Sequence, residues 1–292
     1  MKPQVYIGIV LAAFLFGTME VALKLAGSSL DSFQLTAVRF LIGGLALLPF
    51  AVRELKEKQV RLQAKDLGYL AFVGTVCTTG SMLLFQIGVG MSNASTAAVL
   101  ISMNPLFTMI FARVIDKEKI GKNKIAAMCI GLVGAFFMIK PWDMEPGNTV
   151  PGVCLVLIAA IAFGLYTVLG KRATRNIGLF AQTSISFIEG ALILFVIVIA
   201  MGKPVVAGLA DNWQVVLYVS FFVTGLGYLF YFLAIKYSDA STGAITFFIK
   251  PAIAPIIAVV VLGEHIAWNS VVGICFVLCA SFINLRENKK VK

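Results

Sequence analysis

The sequence predicts an all-α integral membrane protein with ten transmembrane helices, and three observations lead to this fold class. The 292 residues are 60% hydrophobic and only 13% charged, whereas a soluble domain is usually about 45–50% apolar and about 25% charged. The apolar residues fall into ten runs of about the 20 residues that a spanning helix needs. No run has the dyad repeat of a membrane β-strand, so a helical bundle is predicted rather than a barrel.

The helical segments follow one another with short polar connections. They are predicted at residues 3–27, 32–52, 67–90, 93–115, 124–140, 150–170, 178–201, 213–236, 239–262 and 269–285. The longest polar stretch, residues 53–66, is predicted to be a loop because it is too short for a soluble domain. The first segment shares a lysine and an apolar stretch with signal peptides, but it has no clean cleavage site and is expected to stay as a helix.

The basic residues predict the topology. Cytoplasmic loops of membrane proteins are rich in Lys and Arg, and an inside N-terminus places nineteen of the 24 basic residues in cytoplasmic segments. Both termini are therefore expected in the cytoplasm, with the loops at 28–31, 141–149 and 263–268 outside. The net charge of +10 then reflects orientation in the cytoplasmic membrane, and no nucleic-acid partner is expected.

The chain repeats itself at a nearly constant offset. Residues 92–112, SNASTAAVLISMNPLFTMIFA, resemble residues 238–258, SDASTGAITFFIKPAIAPIIA, and residues 11–24, LAAFLFGTMEVALK, resemble residues 158–171, IAAIAFGLYTVLGK. Each half has five predicted helices, and because five is odd the second half enters the membrane from the opposite side. Two inverted repeats are predicted, at 1–140 and at 150–292 with a short cytoplasmic tail, joined by an outer loop at 141–149. Secondary transporters often have this arrangement, with the substrate site near the midplane.

Two prolines occupy matching positions in the repeats. Pro105 follows Asn104, and Pro251 follows Lys250, the residue that aligns with Asn104. A proline in a membrane helix frees a carbonyl group, which protein or a wet cavity must satisfy. We therefore predict that the two helices are broken or bent at Pro105 and Pro251, with these positions facing each other and the Lys250 ammonium turned toward a cavity between the halves. The alternative is that both prolines are inherited kinks in packed helices.

Several motifs make a family resemblance specific. The spacing from Gly17 to Lys24, the VRF triplet at 38–40 and the LGEHI stretch at 262–266, together with the two five-helix repeats, resemble the EamA branch of the drug/metabolite transporter superfamily. The resemblance covers nearly the whole chain. It implies a central cavity formed mainly by helices 1, 3, 4, 6, 8 and 9, but it does not identify a substrate. The sequence departs from the family at Glu20, where many members have a neutral polar residue.

Four charged residues lie within predicted helices: Glu20, Arg39, Glu189 and Lys250. Intramembrane charges usually face the interior, have partners and serve a function. Glu20 is the candidate for proton coupling, or it forms a salt bridge with Arg39. Arg39 and Glu189 are assigned a gating or structural role. Lys250 is expected to bind a carboxylate or phosphate group of the substrate; the alternatives are a neutral amine or an ion pair with Glu20 or Glu189.

Polar and aromatic side chains on the cavity helices complete the predicted binding site. The substrate-binding candidates are Lys250, Asn104, Tyr166, Gln86, Tyr228 and Tyr231. Each aromatic residue has the alternative of facing lipid or packing in the bundle. Small residues at 74–90 and 220–236 are expected to let helices 3 and 8 pack closely and slide.

These features favour a secondary transporter over an enzyme. The chain has one histidine and no nucleotide-binding loop, so no metal site and no cofactor is expected. The predicted helix interiors contain no aspartate pair for intramembrane catalysis. We expect alternating-access transport of a small polar metabolite, amino-acid-like or otherwise carboxylate-bearing, with a proton as the candidate coupling ion. The alternatives are an exporter of cationic or neutral drug-like amines and a lipid-headgroup flippase. Direction of transport and oligomeric state, monomer or homodimer, stay open.

Overall fold

The computed structural model describes residues 3–26, 30–117, 122–139, 146–238, 240–243 and 246–288. Every regular element in these ranges is helical, which confirms the predicted all-α class. Seven of the described helices are long and apolar enough to span a membrane. The number of ten spans stays a prediction, although a described helix overlies each predicted segment.

The helices are numbered in chain order. The first repeat contains α1 Pro3–Ala26, α2 Ser32–Glu57, α3 Ala64–Gly90, α4 Ala94–Asp116 and α5 Lys122–Ile139. The second contains α6 Val150–Asn176, α7 Leu179–Ala200, α8 Trp213–Lys236, α9 with the segments Ala240–Gly243 and Thr246–Leu262, and α10 Trp268–Asn288.

Capping residues set the ends of several helices. Asp31 begins α2, and its carboxylate accepts the backbone N–H of Phe33 at 2.9 Å. At the start of α3 the backbone N–H of Gln63 donates to Asp66, so this helix begins three residues earlier than its apolar run. Hydropathy marks where a helix enters the apolar layer, whereas caps mark where the backbone hydrogen bonds start. The predicted boundaries therefore fall short at the polar ends.

Four helices depart from regular α geometry in their interior. Thr18 interrupts α1 between Pro3–Gly17 and Met19–Ala26, and residues 102–103 interrupt α4 between Ala94–Ile101 and Asn104–Ile115. Wider π-helical turns lie in α3 at Thr78–Leu83 and in α8 at Tyr218–Gly227. Because π turns and breaks leave the regular hydrogen-bond pattern, they often mark functional positions.

Glycine contacts reveal how the two repeats pack on each other. Gly17 of α1 lies against Ile253 of α9, where a Cβ would be 3.1 Å from the isoleucine Cγ2. Its counterpart Gly164 of α6 lies against Phe107 of α4, the counterpart of Ile253. Each repeat thus places its first helix on the fourth helix of the other repeat.

A second set of contacts follows the same rule. Gly43 of α2 packs against Ser220 of α8, and its counterpart Gly190 of α7 packs against Gly74 of α3, the counterpart of Ser220. Small residues let helix backbones approach closely where the bilayer gives no hydrophobic drive for association. This exchange of partners is the packing expected of two repeats related by a pseudo-twofold axis.

Candidate functional site

An ion pair between Glu20 and Lys250 joins the two repeats in the middle of the bundle. Lys250 Nζ contacts Glu20 Oε1, and neither residue has any exposed surface. Glu20 is the second residue of α1 after the break at Thr18, and Lys250 lies in the continuous part of α9. The prediction that the ammonium faces an open cavity is therefore corrected. A buried ammonium without a partner is costly, and the carboxylate across the repeat boundary provides that partner.

Arg39 of α2 is also fully buried, but it is not the ion-pair partner of Glu20 that was considered from the sequence. Its Nη1 lies 3.4 Å from Thr224 Oγ1 and 3.8 Å from the sulfur of Met19. Its guanidinium carbon lies 4.8 Å from the centre of the Phe40 ring. Nε and Nη2 have no acceptor among the described residues.

Aromatic rings surround the ion pair. Lys250 Nζ lies 5.5 Å from the ring centre of Phe85 and 5.9 Å from that of Phe247. Phe247 in turn contacts Phe16 at 5.4 Å and Phe163 at 5.1 Å between ring centres. Phe16 and Phe163 are counterparts in the two repeats. Neither residue was among the predicted site residues. Their recurrence at matching positions of the two repeats is the sequence signal that could have identified them.

The predicted tyrosines extend this aromatic cluster. Tyr228 lies 5.1 Å from Phe16 between ring centres, and Tyr231 shares a hydrogen bond of 2.9 Å with Thr167, the counterpart of Glu20. Tyr166 is fully buried, and its hydroxyl has no partner among the described residues. All three tyrosines are buried, which excludes the lipid-facing alternative and leaves a role in a cavity and packing in the bundle as the two readings.

Asn104 and Pro105 begin the second half of α4. Proline cannot donate a hydrogen bond to the carbonyl four residues earlier, and here the side-chain amide of Asn104 donates to that carbonyl, Ile101 O, at 2.9 Å. The break in α4 lies immediately before these residues, at 102–103. The other polar side-chain atom of Asn104, Oδ1, is buried and has no hydrogen-bond partner among the described residues.

The prediction of a matching break at Pro251 is corrected, and the alternative of a bend there stays a prediction. α9 continues as one helix from Thr246 through Lys250 and Pro251 to Leu262. Residues 244–245, between its segments Ala240–Gly243 and Thr246–Leu262, lie outside the described residues. Helices accept an internal proline when the surrounding protein satisfies the freed carbonyl, so a recurring proline does not by itself require a recurring break.

The remaining candidates lie in different surroundings. Gln86 of α3 is buried, and its Oε1 has no partner among the described residues. Glu189 of α7 is only partly buried, and its Oε2 likewise has no described partner. The structure therefore brings Glu20, Lys250, Asn104, Gln86, Arg39 and the three tyrosines into the buried interior, and it gives Glu189 no contact with the ion pair.

Polar contacts close the bundle at the end where α4 begins. Glu264, in the loop after α9, accepts the backbone N–H of Ala94 at 2.8 Å and that of Ser95 at 3.2 Å. It also accepts the hydroxyl of Ser95 at 2.9 Å. Next to it, Asn148 accepts the backbone N–H of Asn93 at 2.8 Å. We call Glu264 and its contacts with Ala94 and Ser95 the α9–α4 latch.

Charged contacts close the opposite end, where α4 finishes. Asp116 pairs with Arg172 at 2.9 Å and with Lys171 at 3.4 Å, both at the end of α6. Glu54 of α2 accepts the backbone N–H of Leu179 at 3.0 Å and that of Phe180 at 2.7 Å. Contacts among the described residues therefore link the two repeats at both ends, and the Glu20–Lys250 pair between them is buried.

Comparison with known proteins gives consistent results. The model of the EamA-like transporter family matches residues 4–140 and 150–286. An uncharacterized transporter of Clostridium kluyveri is 38% identical over 98% of this chain and 94% of its own length. The uncharacterized transporter YyaM of Bacillus subtilis is 27% identical over 77% of this chain and 74% of its own length. A solved crystal structure has a TM-score of 0.73 over the whole of both chains at 16% identity, which shows similarity of fold alone.

Proposed function

Because the chain belongs to the EamA-like transporter family and is a multi-pass membrane transporter, we propose that it is a secondary transporter that moves a small metabolite by alternating access. The observation that carries this proposal is the Glu20–Lys250 ion pair, buried between the two repeats and surrounded by aromatic rings. A charged pair in the middle of a membrane bundle is expensive, and such groups usually mark a transport pathway.

The closed ends support alternating access. The α9–α4 latch holds one end and the contacts of Asp116 hold the other. Each set of contacts links helices of different repeats, so a movement of one repeat against the other would release one end while the second stays closed. A substrate that reaches the centre must also separate the aromatic rings that surround Lys250.

The lining favours a small organic solute with an apolar or aromatic body and a polar group. Phe16, Phe163 and Phe247 offer rings to an apolar body. The unpartnered oxygens of Gln86 and Asn104 offer acceptors to a polar group. An amino-acid-like solute fits this combination, because its ammonium group can donate to these oxygens. Another carboxylate-bearing metabolite, amines and lipid headgroups are the competing substrates.

Glu20 is the proposed proton-coupling residue. A proton on its carboxylate would remove the negative charge that holds Lys250 across the repeat boundary. The repeats would then separate more easily, because breaking an ion pair in the interior is otherwise costly. Protonation would in this way be linked to the step that exposes the site.

The test is transport by the purified full-length protein in liposomes. A panel of zwitterionic amino acids, their decarboxylated amines and small carboxylates is first screened for thermal stabilisation. Solutes that stabilise the protein are then followed into liposomes with and without an imposed pH gradient. We expect accumulation of an amino acid or carboxylate that depends on the gradient and is lost in Glu20→Gln.

Controls separate the alternatives. Thr75→Ala should transport like the wild type, because the hydroxyl that it removes donates to Ala71 O, at 2.8 Å, within the same helix. Uptake restricted to amines would favour the drug-exporter alternative, and translocation of fluorescent phospholipid without solute uptake would favour the flippase. Liposomes that behave like empty ones for every solute and lipid would contradict the proposal.

A further inference from the structure

The buried centre of the bundle contains more positive than negative side chains. Among the described residues, the buried charged side chains in the middle of the bundle are Glu20, Arg39 and Lys250. Glu20 and Lys250 neutralise each other. Arg39 lies beside this pair, because its Nη1 contacts Met19, the neighbour of Glu20 in the chain, but it has no carboxylate partner among the described residues. The centre therefore retains one uncompensated positive charge.

The hydrogen bonding of Arg39 is also incomplete. A guanidinium has five N–H donors in a planar fork. Among the described residues only Nη1 has hydrogen-bond acceptors, which are Thr224 Oγ1 at 3.4 Å and the weak acceptor sulfur of Met19. Nε and Nη2 are buried and have no acceptor among the described residues. The Phe40 ring covers one side of the guanidinium. A buried charge with unmet donors is unfavourable unless a partner arrives.

We infer that Arg39 is the anion-binding residue of the substrate site and that its Nε and Nη2 bind the carboxylate of the transported solute. This inference rests on the proposed transport function and assigns the carboxylate of the substrate to Arg39 instead of Lys250. Lys250 was the expected carboxylate ligand, but Glu20 already neutralises it. Two free N–H groups on one guanidinium suit the two oxygens of a carboxylate, and a bound carboxylate would bring the net charge of the centre to zero.

The position of Arg39 fits this role. Met19, whose sulfur contacts Nη1, precedes Glu20 in the chain, so Arg39 and the ion pair lie beside the same break in α1. The Phe40 ring next to the guanidinium contacts Phe187 at 4.7 Å and Tyr228 at 5.8 Å between ring centres. A solute with an aromatic or apolar body would therefore meet rings on one side and the guanidinium on the other.

Three ligands with one phenyl body test the assignment: 3-phenylpropionate, L-phenylalanine and phenethylamine. Their dissociation constants are measured by calorimetry on the purified full-length protein. In the wild type we expect 3-phenylpropionate and L-phenylalanine to bind more tightly than phenethylamine. Arg39→Gln should weaken binding of both carboxylates at least tenfold and leave phenethylamine unchanged. Arg39→Lys, which keeps the charge but loses the fork, should give an intermediate loss and also serves if Arg39→Gln does not fold.

Acetate and chloride probe the same residue without assuming a substrate. We expect acetate to stabilise the wild type and Arg53→Gln, to stabilise Arg39→Lys less, and not to stabilise Arg39→Gln. This result would support the carboxylate site even if no solute is transported, and then only the transport proposal fails. Arg53 is an exposed arginine paired with Glu57. Equal weakening of all three phenyl ligands, or stabilisation by chloride with no response to acetate or 3-phenylpropionate, would overturn the assignment. No Arg39-dependent response to any of these probes would overturn it as well.

Discussion

Glu20 of α1 and Lys250 of α9 form an ion pair that is fully buried at the boundary between the two repeats. The counterparts of these residues, Thr167 and Asn104, are uncharged. Thr167 bonds to Tyr231, and Asn104 bonds to the carbonyl of Ile101. The glycine contacts follow the predicted repeat, whereas the chemistry at the centre of the bundle is asymmetric. The asymmetric pair is the feature on which the proposed transport cycle depends.

The ion pair predicts a marked difference between single and double substitutions. Glu20→Gln leaves the Lys250 ammonium buried without its partner, and Lys250→Met leaves the carboxylate, so each should lower the free energy of unfolding by about 3–5 kcal/mol. The double variant removes both charges and should lose much less than the sum. Thermal unfolding of the purified proteins measures this. Losses that simply add would show that the two side chains do not interact.

Two glycines of α3 predict opposite effects of one added methyl group. In Gly74→Ala the Cβ would lie 1.9 Å from the carbonyl oxygen of Ser186 on α7, so the two helices must separate. Overpacking of this kind costs about 1–3 kcal/mol or more. Gly68→Ala meets nothing within 4 Å and should stabilise the helix by up to about 1 kcal/mol. Equal melting temperatures for the two variants would contradict the described contact between α3 and α7.

The contribution of the Asn104 side-chain amide to stability is predicted to depend on the neighbouring Pro105. Asn104→Leu removes the donor to the carbonyl of Ile101 and should cost about 1–3 kcal/mol, since a buried acceptor is left unsatisfied. In Pro105→Ala the backbone N–H at position 105 can donate to the same carbonyl. The loss caused by Asn104→Leu should therefore shrink in the Pro105→Ala background, measured by thermal unfolding. An unchanged loss would mean that Asn104 acts through another contact.

Asp31 predicts a pH-dependent contribution to stability. Partial burial raises the pKa of its carboxyl group, but the hydrogen bond from Lys203 and those from the N–H groups of Phe33 and Gln34 outweigh burial and lower the pKa below the ordinary 3.8. The lowered pKa in the folded state means that this stabilisation is present above pH 3.8 and is lost as the pH falls through the folded-state pKa.

Asp31→Ala should accordingly lower the free energy of unfolding at neutral pH by about 0.5–2 kcal/mol, the usual value of a helix cap. Asp31→Asn keeps a capping oxygen and loses only the ion pair with Lys203, so it should lose less. The melting temperatures of the wild type and Asp31→Ala should differ most at neutral pH, and the difference should shrink as the pH is lowered to 3, because the lowered folded-state pKa leaves part of the contribution at that pH. A difference that stays constant with pH would contradict the lowered pKa.

The sequence was sufficient for the helical class because that class depends on a pattern along the chain, and a pattern of the same kind predicts the repeat. The ten apolar runs locate the helices, and the recurrence of Phe16 as Phe163 and of Pro105 as Pro251 relates the halves. The sequence could not choose the partner of Glu20. That choice depends on how α1 and α9 are rotated about their axes, which the contact between Gly17 and Ile253 helps to set.

Polar contacts between segments that are distant in the chain could not be predicted from the sequence either. Glu264 was noticed only as part of a terminal motif, but it caps a helix that begins at Ala94, far earlier in the chain. A helix N-terminus accepts any carboxylate that the fold brings to it, so its partner cannot be identified from spacing. Pro251 shows the opposite kind of error. Here a local sequence signal predicted a break, but α9 continues as one helix through this residue.

The α9–α4 latch predicts which substitution opens the bundle. Glu264→Ala removes the acceptor for the backbone N–H groups of Ala94 and Ser95. Loss of a helix cap costs about 1 kcal/mol, and a change of 1–2 kcal/mol shifts a two-state equilibrium by roughly 5- to 30-fold. The closed end should therefore open more often, because only the conformation with that end closed contains the latch.

A single cysteine at position 86, on α3, reports the opening in a background without the five native cysteines. A membrane-impermeant maleimide, added to the side predicted to be external, should label Gln86→Cys several-fold faster when Glu264→Ala is present. Glu57→Ala, which removes a carboxylate that is exposed and paired with Arg53, is the matched control and should leave the rate unchanged. An unchanged rate in Glu264→Ala would show that the latch does not hold that end closed. Faster labelling only from the cytoplasmic side would instead contradict the predicted orientation of the chain, because α4 would then begin at the inner face.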